Sequence, residues 1–253
     1  MMRWDRKALL GLTMLAGLLS AVPARAEEAQ PTCEVQSYLL TSESPLPKVA
    51  EAVKQAQKLD ILVVGSRSST IASAEATAYP ARLEAMLRDK LPAVKVAVSV
   101  ELYVKKTAEE VAAGLAKLVA ERKPNLVVWQ TGTVDALRSI DPDDFRVAVD
   151  EGVAALQSAG TDVILMNPQY SPRTETMISV NPYLDNMRAV SQQHDVPLFD
   201  RFAVMRHWNE AGDFDLFSTA HGNDLAKRVH DCLGRALSRF VIDAAHLGPA
   251  QQN

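Results

Sequence analysis

Leu59-Asp60-Ile61-Leu62-Val63-Val64, followed by Gly65-Ser66-Arg67-Ser68-Ser69-Thr70, decides the fold. The first six residues form an apolar run of strand length. A strand that is apolar on both faces has to be covered on both faces, as in a parallel sheet between two layers of helices. The second six place a glycine and several hydroxyls just past the strand end. Such a turn can expose a serine Oγ while backbone N–H groups point at the same place. Ser/Thr-rich loops after strands also serve as turns and helix caps.

The same alternation continues outward from this stretch. Residues 79–91 have helical spacing, with Leu83, Met86 and Leu87 on one face, and residues 94–102 alternate as a strand. Thr107-Ala108-Glu109-Glu110 is a capping box that opens a helix with Val111, Leu115, Leu118 and Val119 inward. Strands follow at 125–130, 162–166 and 196–199. Helices are expected from Asp141-Pro142 to about Ser158, where Gly160 ends the segment, and over 182–194, 202–208 and 223–245. Five strands alternating with helices predict an α/β fold: a three-layer sandwich with a central, mostly parallel five-stranded sheet. Crossovers are expected to be right-handed, and ligands to bind beyond the carboxyl ends of the strands.

The N-terminus reads as a secretion signal over residues 1–26. Arg3, Arg6 and Lys7 precede an apolar run from Ala8 to Val22, which is short for a membrane span, and Ala24-Arg25-Ala26 has the small-x-small form of a cleavage site. Removing 26 of the 253 residues leaves 227, enough for one core. Net charge is −4; the signal holds four Lys/Arg and one Asp, so the remainder stands at −7. An acidic chain without a basic run argues against nucleic-acid and anionic-membrane partners. Residues 27–58 are expected to be a leader, 59–247 the folded domain, and 248–253 a loose tail. Export to an oxidising compartment, periplasmic or extracellular, makes Cys33 and Cys232 a candidate disulfide tying the leader to the last helix. Two cysteines without clustered histidines do not make a zinc site.

Four segments past strand ends carry the candidate chemistry: Gly65 to Thr70, Trp129-Gln130-Thr131-Gly132-Thr133-Val134-Asp135-Ala136, Asn167-Pro168-Gln169-Tyr170-Ser171-Pro172, and His221-Gly222-Asn223. In this order and spacing they resemble the SGNH hydrolases, the GDSL esterase/lipase family, over roughly Leu59 to Ala236. Gly65 to Thr70 looks like the nucleophile segment, with serines in place of the usual Gly-Asp-Ser, and Tyr79-Pro80-Ala81-Arg82-Leu83 like the helix after it. Val127 to Ala136 looks like the segment usually written Gly-x-Asn-Asp. His221-Gly222-Asn223 looks like the Asp-x-x-His segment before the last helix.

The resemblance implies a serine ester hydrolase without metal or organic cofactor, acting on a small-molecule, glycan or lipid ester. Ser68 takes the nucleophile place when the Ser-Ser-Thr end is aligned, with Ser66 as the alternative. His221 is the implied base, Asp215 a candidate to orient it, and Gly65, Ser66, Gly132 and Val134 the oxyanion and substrate-binding positions. The departures are specific. Val134 stands where the family has an Asn amide, Glu101 to Lys106 lacks the expected glycine, and Ser218 stands where the family has Asp. They leave open a second reading, an altered scaffold serving as a glycan- or acyl-binding or assembly protein. A nucleotide binder is disfavoured by the lack of a Gly-x-Gly or Walker pattern. Among the other residues, Arg67 is expected to pair with an acid or a substrate anion, Asp135 to cap the helix after it, and Trp129 to lie in the core. Gln169 and Tyr170 are candidates for a substrate rim or loop packing. His194, His230 and His246 have no partner that the sequence names.

Overall fold

A computed structural model describes Met1, residues 32–217 and residues 222–248. The chain divides after Gln30, and every contact given below lies in the second part, Pro31–Asn253. The expected signal and part of the leader therefore lie outside the described residues, as do His221, Ser218 and the tail beyond Gly248.

Five parallel strands form one sheet in the order β2-β1-β3-β4-β5. They are β1 (Lys58–Gly65), β2 (Lys95–Leu102), β3 (Leu126–Gln130), β4 (Asp162–Met166) and β5 (Leu198–Phe199). The helices are α1 (Pro47–Glu51), α2 (Tyr79–Lys90), α3 (Ala108–Arg122), α4 (Thr133–Leu137), α5 (Pro142–Ser158), α6 (Pro172–Met177), α7 (Asn181–His194), α8 (Arg201–Glu210) and α9 (Gly222–Ala244). The sheet is wholly parallel, as the apolar runs require.

Alternate residues of each inner strand feed two separate cores. Leu59, Ile61, Val63, Leu126, Val128, Ile164 and Met166 pack with α2, α8 and α9. Leu62, Val64, Val127, Trp129, Val163 and Leu165 pack with α3, α5 and α7. This two-sided burial is why the inner strands carry almost no polar residue. Strand β2 is an edge, and of its residues Val96 alone is buried. Strand β5 has only two residues, shorter than the run over 196–199 suggests.

Residues 32–58 are strapped onto the domain. Leu40, Leu46 and Val49 are buried in the α2/α8/α9 core. The Leu46 N–H donates to the Ala244 carbonyl at 2.9 Å, and the Trp208 indole N–H donates to the Glu34 carbonyl at 3.0 Å. Asp162 Oδ2 accepts from the Val49 N–H at 2.9 Å and so anchors α1. Cys33 and Cys232 form the expected disulfide, with Cα atoms 5.1 Å apart.

Candidate active site

The direction in which successive strands are added reverses between β1 and β3, because β2 lies on one side of β1 and the later strands on the other. The loops after β1 and β3 therefore part there, which is where ligands bind in open parallel sheets. An open cavity of about 700 Å³ lies at this place, lined by Ser66, Arg67, Ser68 and Thr70 after β1 and by Thr133, Val134 and Leu137 after β3. Gln169 after β4, Lys105 and Val104 after β2, and Asn223 and His230 of α9 complete it.

The loop after β1 folds as one tight turn over residues 67–69, closed by the Ser69 N–H donating to the Ser66 carbonyl. Gly65 is required for it: a Cβ there would sit 2.1 Å from Ser69 Oγ. The three serines end up in different surroundings. Ser69 is buried, donating to Gln130 Oε1 at 2.7 Å and accepting from the Tyr79 hydroxyl at 3.3 Å. Ser66 and Ser68 are half-buried and line the cavity.

Gln130, the last residue of β3, is the hub beneath the serines. Its Oε1 accepts from Arg201 Nη1 at 2.9 Å and from Ser69 Oγ. Its Nε2 donates to Ser68 Oγ at 2.7 Å and to Ser66 Oγ at 3.3 Å. A guanidinium can only donate, so Arg201 fixes which way the amide faces. Arg201 is fully buried at the start of α8. It also donates from Nη1 to Ser68 Oγ at 3.4 Å, and from Nη2 to the Ser68 carbonyl at 3.1 Å and Gln169 Oε1 at 3.2 Å. Its guanidinium lies over the Tyr79 ring, 5.6 Å from the centroid. Burial lowers its pKa to about 10, well above neutrality, so the group stays charged.

No carboxylate neutralises that charge among the described residues. The adjacent Asp200 is spent elsewhere: it accepts from Asn167 Nδ2 at 2.7 Å, from the Ala203 N–H at 2.9 Å and from Arg188 Nη2 at 3.0 Å. Asn167, fully buried after β4, also accepts from the Phe202 N–H at 2.9 Å and so pins the start of α8.

His230 does have a partner. Its Nδ1 accepts from the Tyr79 N–H at 2.9 Å. Burial, helped by the charge of Arg201, lowers its pKa to about 3, so the ring is neutral with its proton on Nε2. His194, which does not line the cavity, contacts Asp150 Oδ1 at 2.8 Å.

Several expectations are corrected. Asp135 lies within α4 as its third residue rather than ahead of a helix as its N-cap residue. Its buried Oδ1 accepts from the Ala108 N–H at 2.8 Å and supports the first turn of α3, and burial raises its pKa. Arg67 is exposed on the cavity wall and makes no ion pair with a described residue. Tyr170 is buried edge-to-face against Phe202, 5.2 Å between ring centres, so it packs the loop. Trp129 is in the core, as expected. Gly65, Ser66, Gly132 and Val134 line one small recess beside the cavity, and Gly132 holds φ at +92°, a left-handed value that favours glycine. Asp215 lies in the loop between α8 and α9 and accepts from the Phe217 N–H at 3.0 Å. His221 lies outside the described residues.

Gln130, Tyr79 and Arg201 are the members of this network that motif reading assigns no role. One signal for Arg201 was present: a cation at the first position of a helix opposes the helix dipole, and such broken local rules gather at functional sites.

Comparison with known proteins agrees with this architecture. No curated protein matches the chain. Among solved structures, TesA is similar at 22% identity and a TM-score of 0.56, covering 72% of this chain and 99% of its own. An acetylxylan esterase from Geobacillus stearothermophilus, crystallised as a catalytic mutant, has 18% identity and a TM-score of 0.58 over 72% of this chain and 94% of its own. A two-domain esterase active on acetylated mannans reaches a TM-score of 0.66 at 12% identity, over 84% of this chain and 57% of its own. At these identities the likeness is one of fold. The profile of the Non-GDSL lipase-like family matches residues 32–247, and the chain belongs to that family.

Proposed function

We propose that the protein is an exported serine ester hydrolase with Ser68 as nucleophile and His221 as general base. One observation carries this reading: Ser68 Oγ lines the cavity while Gln130 Nε2 and Arg201 Nη1 both donate to it. With its acceptor side filled from beneath, the hydroxyl has its own proton to give away. The competing serines are poorer candidates. Ser69 is buried and its proton is engaged by Gln130. Ser66 Oγ receives the weaker contact from the same amide.

In this mechanism Ser68 Oγ attacks the ester carbonyl as its proton passes to a ring nitrogen of His221. The tetrahedral intermediate collapses when the imidazolium returns the proton to the leaving alcohol, and water then hydrolyses the acyl-Ser68 by the same relay. Asn223, two residues after His221, lines the cavity, which supports a base approaching from that side. Asp215 would orient the imidazole. The Ser68 N–H takes no acceptor among the described residues and is the first oxyanion donor in this reading. The substrate class is an acetyl or other short acyl ester of a carbohydrate, in line with what the structural neighbours are described as acting on. The Cys33–Cys232 disulfide supports export to an oxidising compartment.

A second reading, a binding or assembly protein, draws on Val134, whose side chain brings no donor to the cavity wall. Hydrolysis of short-chain p-nitrophenyl esters separates the two. Turnover that falls to background in both Ser68→Ala and His221→Ala fits the hydrolase. Background rates in the wild type, with retained binding of an acylated oligosaccharide, fit the binding protein.

A further inference from the structure

We infer that Arg201 is a positioning residue for the reaction: a buried, uncompensated cation that orients Ser68 and favours the loss of its proton. The inference rests on the hydrolase reading and adds to it a residue outside the family's nucleophile and histidine segments.

Burying a charge without an opposite partner is costly, and apolar packing at such a site is often neutral or better for stability. Here the guanidinium is buried, the neighbouring carboxylate of Asp200 is committed to three other groups, and Nε has no hydrogen-bond partner among the described residues. What Arg201 does reach is the site. Its donors contact the loops after β1 and β4 and the end of β3, through Ser68, Gln169 and Gln130, from its own place after β5. One side chain therefore ties together four strand ends around the nucleophile.

Two effects follow. Arg201 locks the Gln130 amide so that Nε2 faces Ser68 Oγ, which turns the hydroxyl proton away from the network. Its charge, held on a buried guanidinium 3.4 Å from that oxygen, favours negative charge building on Oγ during attack. The second effect bears on the missing Asn amide: where Val134 offers no donor, a fixed cation beneath the nucleophile supplies part of the electrostatic stabilisation from another direction.

The test uses the full exported chain with p-nitrophenyl acetate, comparing wild type, Arg201→Gln and Arg201→Lys. Arg201→Gln keeps donors but loses the charge, and kcat is expected to fall about 100-fold with KM within about threefold. Arg201→Lys keeps a cation and is expected to recover kcat to within about tenfold of wild type. Melting temperatures are measured alongside. Equal losses of kcat in both variants, tracking their loss of melting temperature, would assign Arg201 to structure alone and overturn the inference. If Arg201→Gln does not fold, a folded Arg201→Lys decides by itself: a loss beyond about 100-fold at unchanged melting temperature overturns it, and recovery to within tenfold supports it. Wild-type turnover that depends on Ser68 but survives Arg201→Gln sinks this inference and leaves the hydrolase standing. Absence of Ser68-dependent turnover in the wild type sinks both.

Discussion

Gln130 has one orientation open to it, because Arg201 on one side of the amide can only donate. Everything about Ser68 follows from that choice. Ser68 Oγ receives two donors, which in the proposed mechanism leaves its proton for the base, whereas Ser69 Oγ donates to Gln130 inside the network. Gly65→Ala would push a methyl into Ser69 Oγ and break its contact with Gln130. The expected outcome is at least a tenfold loss of esterase kcat, with about 1–3 kcal/mol lost from denaturant-measured stability. Arg67 makes a different prediction. Among the described residues the cavity wall carries Arg67 and Lys105 and no Asp or Glu. Arg67→Ala should raise KM severalfold for esters with a carboxylate near the acyl group and leave neutral p-nitrophenyl acetate unchanged. His230 should be visible in acid. Its pKa is depressed from 6.5 in the unfolded chain to about 3 in the fold. The unfolded state therefore binds the proton first, and the stability from keeping the ring neutral is present above pH 6.5 and is lost as pH falls toward 3. The upper bound is about 5 kcal/mol. Urea midpoints between pH 7 and 4 should fall less steeply in His230→Asn than in wild type.

The elements around the site are held by caps that differ in how far they can be seen in sequence. Thr107 and Glu110 form the reciprocal capping box at α3 that their spacing announces. Thr107→Ala should cost about 1 kcal/mol, measured by urea denaturation. The second support of that helix end, Asp135, comes from 27 residues along the chain and is invisible to local pattern. Gly152 is similar. A Cβ there would lie 2.4 Å from the Trp129 ring, so α5 can lie close over β3 only because that position is bare. Elements whose information is local, such as the inner strands, α3 and α5, were legible at close to their real boundaries. Strand β2 was legible as well, but its edge position was not, since pairing partners are not written in a single strand. The site divides the same way. The serine turn and the valine at position 134 could be read from segments. Arg201, Gln130 and Tyr79 acquire meaning only when the ends of separate strands meet.

At the scale of the molecule, strand order places the cavity: with β2 and β3 on opposite sides of β1, the loops after β1 and β3 diverge and leave room for a ligand. The strap formed by the residues ahead of β1 is held to the domain by the burial of Leu40, Leu46 and Val49 and by the disulfide. Cys33 and Cys232 are 199 residues apart in sequence, and on chain-entropy grounds a loop of that size contributes about 5 kcal/mol by limiting the unfolded ensemble. Reduction should lower the urea midpoint markedly, and a Cys33→Ser/Cys232→Ser variant should match the reduced protein. In the proposed mechanism Ser68 is a nucleophile served by His221. Treatment with a fluorophosphonate followed by peptide mass spectrometry tests it most directly. The expected result is a single phosphonyl adduct on Ser68, absent from Ser68→Ala and formed far more slowly in His221→Ala. An unmodified wild-type chain, or an adduct on Ser66, would contradict it.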